Sequence, residues 1–170
     1  MKVAILVDEQ YQVLEVWYPY LRLREEGVTP LFVGMEAGRE YKSKEGYPAK
    51  ADVSVKDVNE KDFDAVIVPG GWAPDFIRRN PEMNNFVKEL FKKGKVVAGI
   101  CHAGWVLASA DVLRGRKATC FYAIKDDVIN AGAKYVDEPV VVDGNLITSR
   151  NPYDLTQFVK EIIRALKNKK

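Results

Sequence analysis

The chain has 170 residues with a formal net charge of +2; 47% of its residues are hydrophobic and 29% are charged. This size and composition suit one domain with a single core, predicted to span residues 1–170. The 26 basic residues are interspersed with 24 acidic ones, and no apolar run has the length of a membrane span, so we expect neither a nucleic-acid partner nor a membrane.

Strands and helices are predicted to alternate along the first half of the chain. The patterns indicate a strand over 2–7, a helix from Val13 to Glu26 ended by Gly27, a strand over 29–33, an irregular stretch over 35–58 with room for short strands, a strand over 63–68, and a helix over 82–93. Pro19 lies inside the first helix and is expected to kink it. The third strand runs directly into Pro69-Gly70-Gly71.

The same alternation continues in the second half. It indicates a strand over 96–100, a helix from 102 to 110, a strand over 117–121, a helix over 124–130, a strand over 134–142, a hairpin at Asp143-Gly144-Asn145 leading into 146–149, and a last amphipathic helix over 152–166. Alternating strands and helices predict an α/β fold. We expect a flavodoxin-like three-layer sandwich whose mostly parallel sheet carries helices on both faces. In such folds, sites form at the carboxyl ends of the strands.

Cys101 follows a short β-branched strand and precedes a predicted helix. The spacing Gly99-x-Cys101-x-Ala103 is similar to the Gly-x-Ser-x-Gly elbow, in which small residues let strand and helix crowd around a strained nucleophile. A helix N-terminus also lowers the pKa of a thiol, so Cys101 is predicted to be a reactive nucleophile with a depressed pKa. The alternative is an inert core cysteine, the commoner fate of buried cysteines.

His102 is the single histidine of the chain, so any Cys-His pair must use it, from the same subunit or from a neighbouring one. Histidine is the usual base near neutral pH. Neighbours in sequence tend to point apart at an elbow, which leaves open a purely structural role for His102 at the start of the helix. Cys101 and Cys120 are the two cysteines, too few for a disulfide framework, and no apolar leader follows Met1 and Lys2; both features suggest a cytoplasmic protein.

Several motifs then recur in one order along nearly the whole chain. They are Val68-Pro69-Gly70-Gly71, Ile100-Cys101-His102, Leu113-Arg114-Gly115-Arg116, Ile124-Lys125-Asp126-Asp127, Val142-Asp143-Gly144-Asn145 and Thr148-Ser149-Arg150. In these motifs the chain resembles the PfpI-type intracellular cysteine proteases, which belong with the parkinsonism-associated protein deglycase to one superfamily of the class I glutamine amidotransferase-like fold.

The resemblance implies roles for further residues. Glu15, in the pattern Glu-x-x-x-Pro, would approach the nucleophile and hold a proton beside the sulfur. The backbone N–H groups of Gly71 and His102 would form the oxyanion hole. Asp75 stands where PfpI-type proteases carry a glutamate proposed to complete a Cys-His-Glu triad from the adjoining subunit. Phe121 stands where some relatives have a tyrosine, so a phenolic acid is absent there.

The resemblance implies a cysteine-dependent hydrolase that acts on peptide bonds or on glyoxal and methylglyoxal adducts, with Cys101, His102, Glu15 and Asp75 in the site. Neither a metal nor a cofactor is expected. The expected partners are a peptide or small carbonyl substrate and further copies of the chain, as a homodimer or a larger assembly such as a hexamer. The alternative function is a redox-responsive stress protein or chaperone, in which Cys101 is oxidised and little turnover occurs.

Overall fold

A computed structural model describes residues 1–168. The strands are β1 Lys2–Leu6, β2 Thr29–Gly34, β3 Glu40–Lys42, β4 Pro48–Lys50, β5 Val53–Ser54, β6 Ala65–Val68, β7 Val96–Ile100, β8 Lys117–Ala118, β9 Lys134–Tyr135, β10 Val140–Asp143 and β11 Leu146–Ser149. The helices are α1 Val13–Glu25, α2 Ala73–Ile77, α3 Pro81–Lys92, α4 Gly104–Ser109, α5 Lys125–Asn130 and α6 Leu155–Lys167. The predicted extent of the domain to residue 170 stays a prediction, because its last two residues lie outside this range.

The central sheet has seven strands in the order β10-β11-β7-β6-β1-β2-β5. Its strand pairs are parallel except for the hairpin of β10 and β11. Every residue of β6 and β7 is buried, as their unbroken apolar runs predict for strands covered on both faces. The carboxyl ends of β6 and β7 lie side by side, with Val68 paired to Gly99, which brings the Pro-Gly-Gly turn next to Cys101.

Helices cover both faces of this sheet. One layer contains α1 and α6, which pack against each other, while α1 contacts β2 and α6 contacts β7 and β11. The other layer contains α3, which packs on β6 and β7 and on α4; α4 in turn contacts α2 and α5. The predicted three-layer α/β sandwich with a mostly parallel sheet is confirmed.

Two local predictions differ from the structure, and one short helix was not predicted. The single strand predicted over 134–142 is two strands: β9 pairs with β8, and β10 with β11, on either side of a segment that ends in Pro139. The strand predicted over 117–121 ends at Ala118, because the N–H of Thr119 donates to the side-chain Oγ1 of Thr148 in β11 and not to a backbone carbonyl oxygen. Helix α1 continues through Pro19, and the kink expected there stays a prediction. The short helix α2 was not predicted.

Candidate active site

Cys101 is placed at the end of β7 by an elbow, as the sequence predicted. Its φ is 62°, in the left-handed region that non-glycine residues rarely adopt, and residues Cys101–Ala103 form a 3-10 turn before α4 begins. The small residues around it are required by the packing. A Cβ added to Gly99 would lie 2.9 Å from Leu107 Cδ1 and 3.2 Å from the Ala103 Cβ. The elbow therefore depends on Gly99 having no side chain.

Glu15 reaches the same point from the first turn of α1. Its carboxyl is fully buried, and its Oε2 accepts the N–H of Gly70 at 2.6 Å. A Cβ on Gly70 would lie 2.5 Å from this oxygen and 2.6 Å from the Cys101 Cβ, so the carboxyl and the thiol meet beside a residue that must be glycine. Glu15 Oε1 is buried and accepts no conventional hydrogen bond from residues 1–168, which makes it the oxygen free to carry a proton.

Burial raises the pKa of Glu15 to about 8, although the N–H of Gly70 and the nearby thiol oppose the rise. Glu15 is therefore mainly protonated at neutral pH, whereas an ordinary surface glutamate is ionised. This agrees with the proton-holding role that the family resemblance implied for it.

Burial and the charge of an ionised Glu15 raise the pKa of Cys101 to about 12. The N–H groups of Gly71 and His102, which donate to its sulfur, lower this pKa but do not offset the rise. The predicted depression of this pKa is therefore wrong. The 3-10 turn separates Cys101 from α4, and α4 has only six residues, so the helix dipole is too weak to offset burial. The pair loses its protons one after the other, and an ionised Glu15 makes a thiolate at Cys101 harder to form.

His102 contacts the nucleophile directly. Its Nδ1 lies 3.2 Å from Cys101 Sγ, a contact that the sequence left open. Its ring stacks on Phe121 with centroids 5.1 Å apart and also packs on Trp72 and Trp105. Burial and the charge of Lys44 lower its pKa, so the imidazole is neutral near pH 7 and can accept the thiol proton.

Gly71 supplies a backbone donor from the turn after β6. Its φ is 70°, and an added Cβ would lie 2.5 Å from the backbone nitrogen of Gln12 and 2.6 Å from the carbonyl oxygen of Gln10. The N–H groups of Gly71 and His102 both donate to Cys101 Sγ. The two groups predicted for the oxyanion hole are thus beside the nucleophile, and their action on an oxyanion stays a prediction.

A cavity of about 380 Å³ opens above the sulfur. It is lined by Gln12, Glu15, Lys44, Gly71, Trp72, Cys101, His102, Phe121, Ala123 and Pro152. A larger groove of about 490 Å³ beside the C-terminal end of α1 has no cysteine or histidine among the described residues that line it. Lys44 was not singled out from the sequence, because it reaches the cavity only through a bridge between the Tyr11 and Ser43 segments, which no local pattern reveals.

Asp75 stands apart from this cavity. It lies on α2 with its side chain 46% exposed, forms an ion pair with Arg79, and does not line the cavity in its own chain. Its role across a subunit interface stays a prediction. Cys120 is buried, as expected for a packed cysteine, and Phe121 forms part of the cavity wall.

Residues 1–168 contain no helix with the length and apolar character needed to cross a membrane. The same residues contain no group of three or more His, Cys, Asp or Glu side chains arranged to hold a metal ion.

Comparisons with known proteins agree with the motif resemblance. The model of the DJ-1/PfpI family matches residues 1–165. A protein named Deglycase PH1704, from Pyrococcus horikoshii, is 44% identical over 167 residues, which cover 98% of this chain and all of that protein. YraA of Bacillus subtilis, whose name assigns it provisionally as a cysteine protease, is 39% identical over 166 residues covering 98% of each chain.

A solved structure from Anabaena variabilis superposes with a TM-score of 0.96 and 44% identity. Its title describes a two-domain protein with a DJ-1/ThiJ/PfpI-like and a ferritin-like domain. The match covers 98% of this chain and 48% of that one, so the chain spans about half of its length.

Proposed function

The chain belongs to the DJ-1/PfpI family, and from this premise we propose that it is a Cys101-dependent hydrolase that removes glyoxal-derived adducts, with methylglyoxal as the small-molecule version of the substrate. The observation that carries the proposal is the contact of Cys101 Sγ with His102 Nδ1 at 3.2 Å, at the wall of a cavity of about 380 Å³. A nucleophile within reach of a neutral base, facing a cavity that fits small groups, is the arrangement that attack on a carbonyl needs.

The proposed reaction begins when Sγ attacks the aldehyde carbon and the carbonyl electron pair moves to oxygen. The thiol proton passes to His102 Nδ1, which overcomes the raised pKa of Cys101 because deprotonation accompanies attack. The N–H groups of Gly71 and His102 stabilise the new oxyanion. Glu15 stays protonated, so that no second negative charge faces the sulfur.

With methylglyoxal, the hemithioacetal then moves one hydrogen from C1 to C2, which oxidises the aldehyde carbon and reduces the ketone. The product of that shift is a lactoyl thioester on Cys101. Water attacks the thioester, the C–S bond breaks, and lactate leaves as the thiol regains its proton. The net reaction adds one water to methylglyoxal and requires no external oxidant or reductant.

Peptide-bond hydrolysis is the second candidate. Trp72, Tyr122 and Tyr153 are 49%, 76% and 95% exposed, and each lines the cavity or follows a residue that does. Exposed aromatic side chains at the mouth of a site suit a polypeptide substrate. One relative also carries the name of a cysteine protease, given provisionally.

The redox-responsive alternative is less well supported by this site. The thiolate is the form that peroxide oxidises, and burial holds the pKa of Cys101 well above neutral pH. We retain a role in a stress response as a biological setting for adduct removal. It does not require Cys101 to be the sensor.

We also propose that the protein works in the cytoplasm as a homo-oligomer. Both cysteines are free thiols in the structure, which suits a reducing compartment. The side chain of Asp75 is half-exposed on α2, close to the cavity residue Trp72, where a second subunit could receive it. In that arrangement each complete site takes Cys101 from one chain and Asp75 from another.

The experiment compares the wild type with Cys101→Ser and Cys120→Ser on methylglyoxal, on a methylglyoxal-treated peptide and on a fluorogenic peptide. We expect Cys101→Ser to lose at least about 1,000-fold in turnover, because a hydroxyl is far less acidic than a thiol, while Cys120→Ser stays within about twofold. Equal turnover by the wild type and Cys101→Ser on every substrate would overturn the hydrolase proposal. Turnover of the fluorogenic peptide alone would favour the second candidate.

A further inference from the structure

Among the described residues that line the Cys101 cavity, Lys44 supplies the one cationic side chain. The aromatic and apolar part of that wall includes Trp72, Phe121, Ala123 and Pro152. Glu15 carries a proton at neutral pH, since its pKa is about 8, and His102 is neutral because its pKa is lowered. The cavity is therefore an aromatic pocket with one positive charge on its wall.

The backbone of Lys44 is held in place. Its N–H donates to the carbonyl oxygen of Tyr11 at 2.9 Å, and Ser43 Oγ closes the turn by accepting the N–H groups of Glu45 and Tyr47 at 3.2 and 3.0 Å. Lys44 therefore extends from a fixed turn beside the start of α1, rather than from a free loop.

The ammonium group is only weakly engaged by its neighbour Glu45. The distance from Lys44 Nζ to Glu45 Oε1 is 3.9 Å, and the other carboxylate oxygen of Glu45 accepts the N–H of Val13 at 3.1 Å, at the start of α1. Glu45 is thus positioned by the helix terminus, while Lys44 keeps N–H donors for another anion. The charge of Lys44 reaches the site, because it lowers the pKa of both Glu15 and His102.

We propose that Lys44 is a specificity-determining residue that binds a carboxylate at or next to the carbonyl carbon attacked by Cys101. The inference rests on the proposed function and names its substrate class: small carbonyl compounds that carry a carboxylate or acquire one during the reaction. Methylglyoxal acquires one, because the net reaction converts it to lactate, and the carbon attacked by Cys101 becomes the carboxylate carbon.

The test uses two alkylating probes of nearly equal size, iodoacetate and iodoacetamide, which differ in charge. The alkylation rate of Cys101 with each probe is divided by the rate of the same probe with a small free thiol. The ratio of the iodoacetate value to the iodoacetamide value is then compared among the wild type, Lys44→Gln, Lys44→Arg and the control Lys88→Gln. Lys88 lies on α3 and forms an ion pair with Asp111. Any general change in thiol reactivity affects both probes and cancels in the ratio.

We expect Lys44→Gln to lower the ratio roughly 3- to 10-fold, the effect of one partly exposed charge at close range. Lys44→Arg and Lys88→Gln should keep the wild-type ratio, and 1 M salt should reduce the wild-type ratio toward that of Lys44→Gln. An unchanged ratio in a folded Lys44→Gln protein would overturn the proposal.

A second measurement needs no variant. Lactate should protect wild-type Cys101 from iodoacetamide at a concentration several-fold lower than its neutral analogue lactamide does. Equal protection by the two compounds would also overturn the proposal. Both measurements follow alkylation and not turnover, so the carboxylate site can fail while hydrolysis is confirmed, or be confirmed while hydrolysis fails.

Discussion

Cys101 and Cys120 are buried to a similar degree, but the groups that surround the two thiols differ. Both side chains are buried, and burial raises both pKa values to about 12. Around Cys101, however, the backbone has a positive φ, two N–H groups donate to the sulfur, His102 Nδ1 is 3.2 Å away, and a cavity opens in front. Cys120 is packed near Gly104 of α4, and the second influence on its pKa is the negative charge of Asp127.

The comparison shows that the resting pKa of a buried thiol does not by itself identify a nucleophile. The two sulfurs differ in whether a base can take the proton during attack and whether a substrate can reach the sulfur. Cys101 has both features. The family motifs identified this cysteine, and the structure shows the physical basis of the difference.

The largest expected effect concerns alkylation of these two cysteines in one molecule. Iodoacetamide should modify Cys101 at least about 100-fold faster than Cys120 near pH 8, because only Cys101 combines a neighbouring base with an open cavity. Peptide mass spectrometry over time measures both rates, and Cys120→Ser provides the Cys101 rate alone. Comparable rates in the folded protein would remove the distinction between the two regions.

The next prediction concerns the close approach at Gly70. Gly70→Ala should lower turnover at least about 10-fold and the free energy of unfolding by roughly 1 to 3 kcal/mol, because the methyl group overlaps Glu15 Oε2 and the Cys101 Cβ. The matched control is Gly38→Ala, where an added Cβ meets no atom of residues 1–168 within 4 Å but the φ of 80° is strained. The control should lose about 1 kcal/mol of unfolding free energy and keep its turnover. Equal turnover in the two variants would show that the Glu15–Cys101 approach does not matter for catalysis.

A smaller effect is expected for Asp75, which belongs to neither cysteine region within one chain. Asp75→Asn should lower turnover about 3- to 10-fold if the carboxylate orients His102 from a second subunit, whereas the exposed control Asp126→Asn should not.

The subunit arrangement is then tested by unfolding the inactive Cys101→Ser variant together with Asp75→Asn, refolding the mixture and measuring its turnover. In a two-fold dimer, a mixed pair has one site with both lesions and one with neither, so random pairing restores about a quarter of the sites. Turnover no higher than the sum of the two separate variants, in a sample shown to contain mixed dimers, would place Asp75 outside a shared site. Full activity of Asp75→Asn alone would exclude it from the mechanism.

Much of the fold could be predicted because the central strands are buried on both faces and so form unbroken apolar runs, as in 96–100 before Cys101. Helix α2 was missed because it has five residues, although Pro74 in its first turn is a usable signal. Lys44 and the direction of the Cys101 pKa could not be predicted. Both depend on contacts between segments distant in sequence, namely the Tyr11–Ser43 bridge and the burial of Glu15 beside Gly70.

The central claim is that Glu15 keeps its proton at neutral pH, so that Cys101 can act as a nucleophile beside it. The most direct test is the pH dependence of the unfolding free energy of the wild type and Glu15→Gln, measured by denaturant titration between pH 4 and 9. A carboxyl whose pKa is raised by folding stabilises the folded protein fully at pH values below its unfolded pKa of 4.5. This stabilisation is lost as the pH rises to about 8, the folded pKa of Glu15.

The free energy of unfolding of the wild type should therefore fall by about 5 kcal/mol relative to that of Glu15→Gln across this pH range, at about 1.4 kcal/mol per pH unit. Gln is neutral at every pH and can still accept the Gly70 N–H, so the variant removes the titration without removing the contact. Stability curves that stay parallel for the two proteins from pH 4 to pH 9 would contradict a protonated Glu15, and with it this account of the Cys101 site.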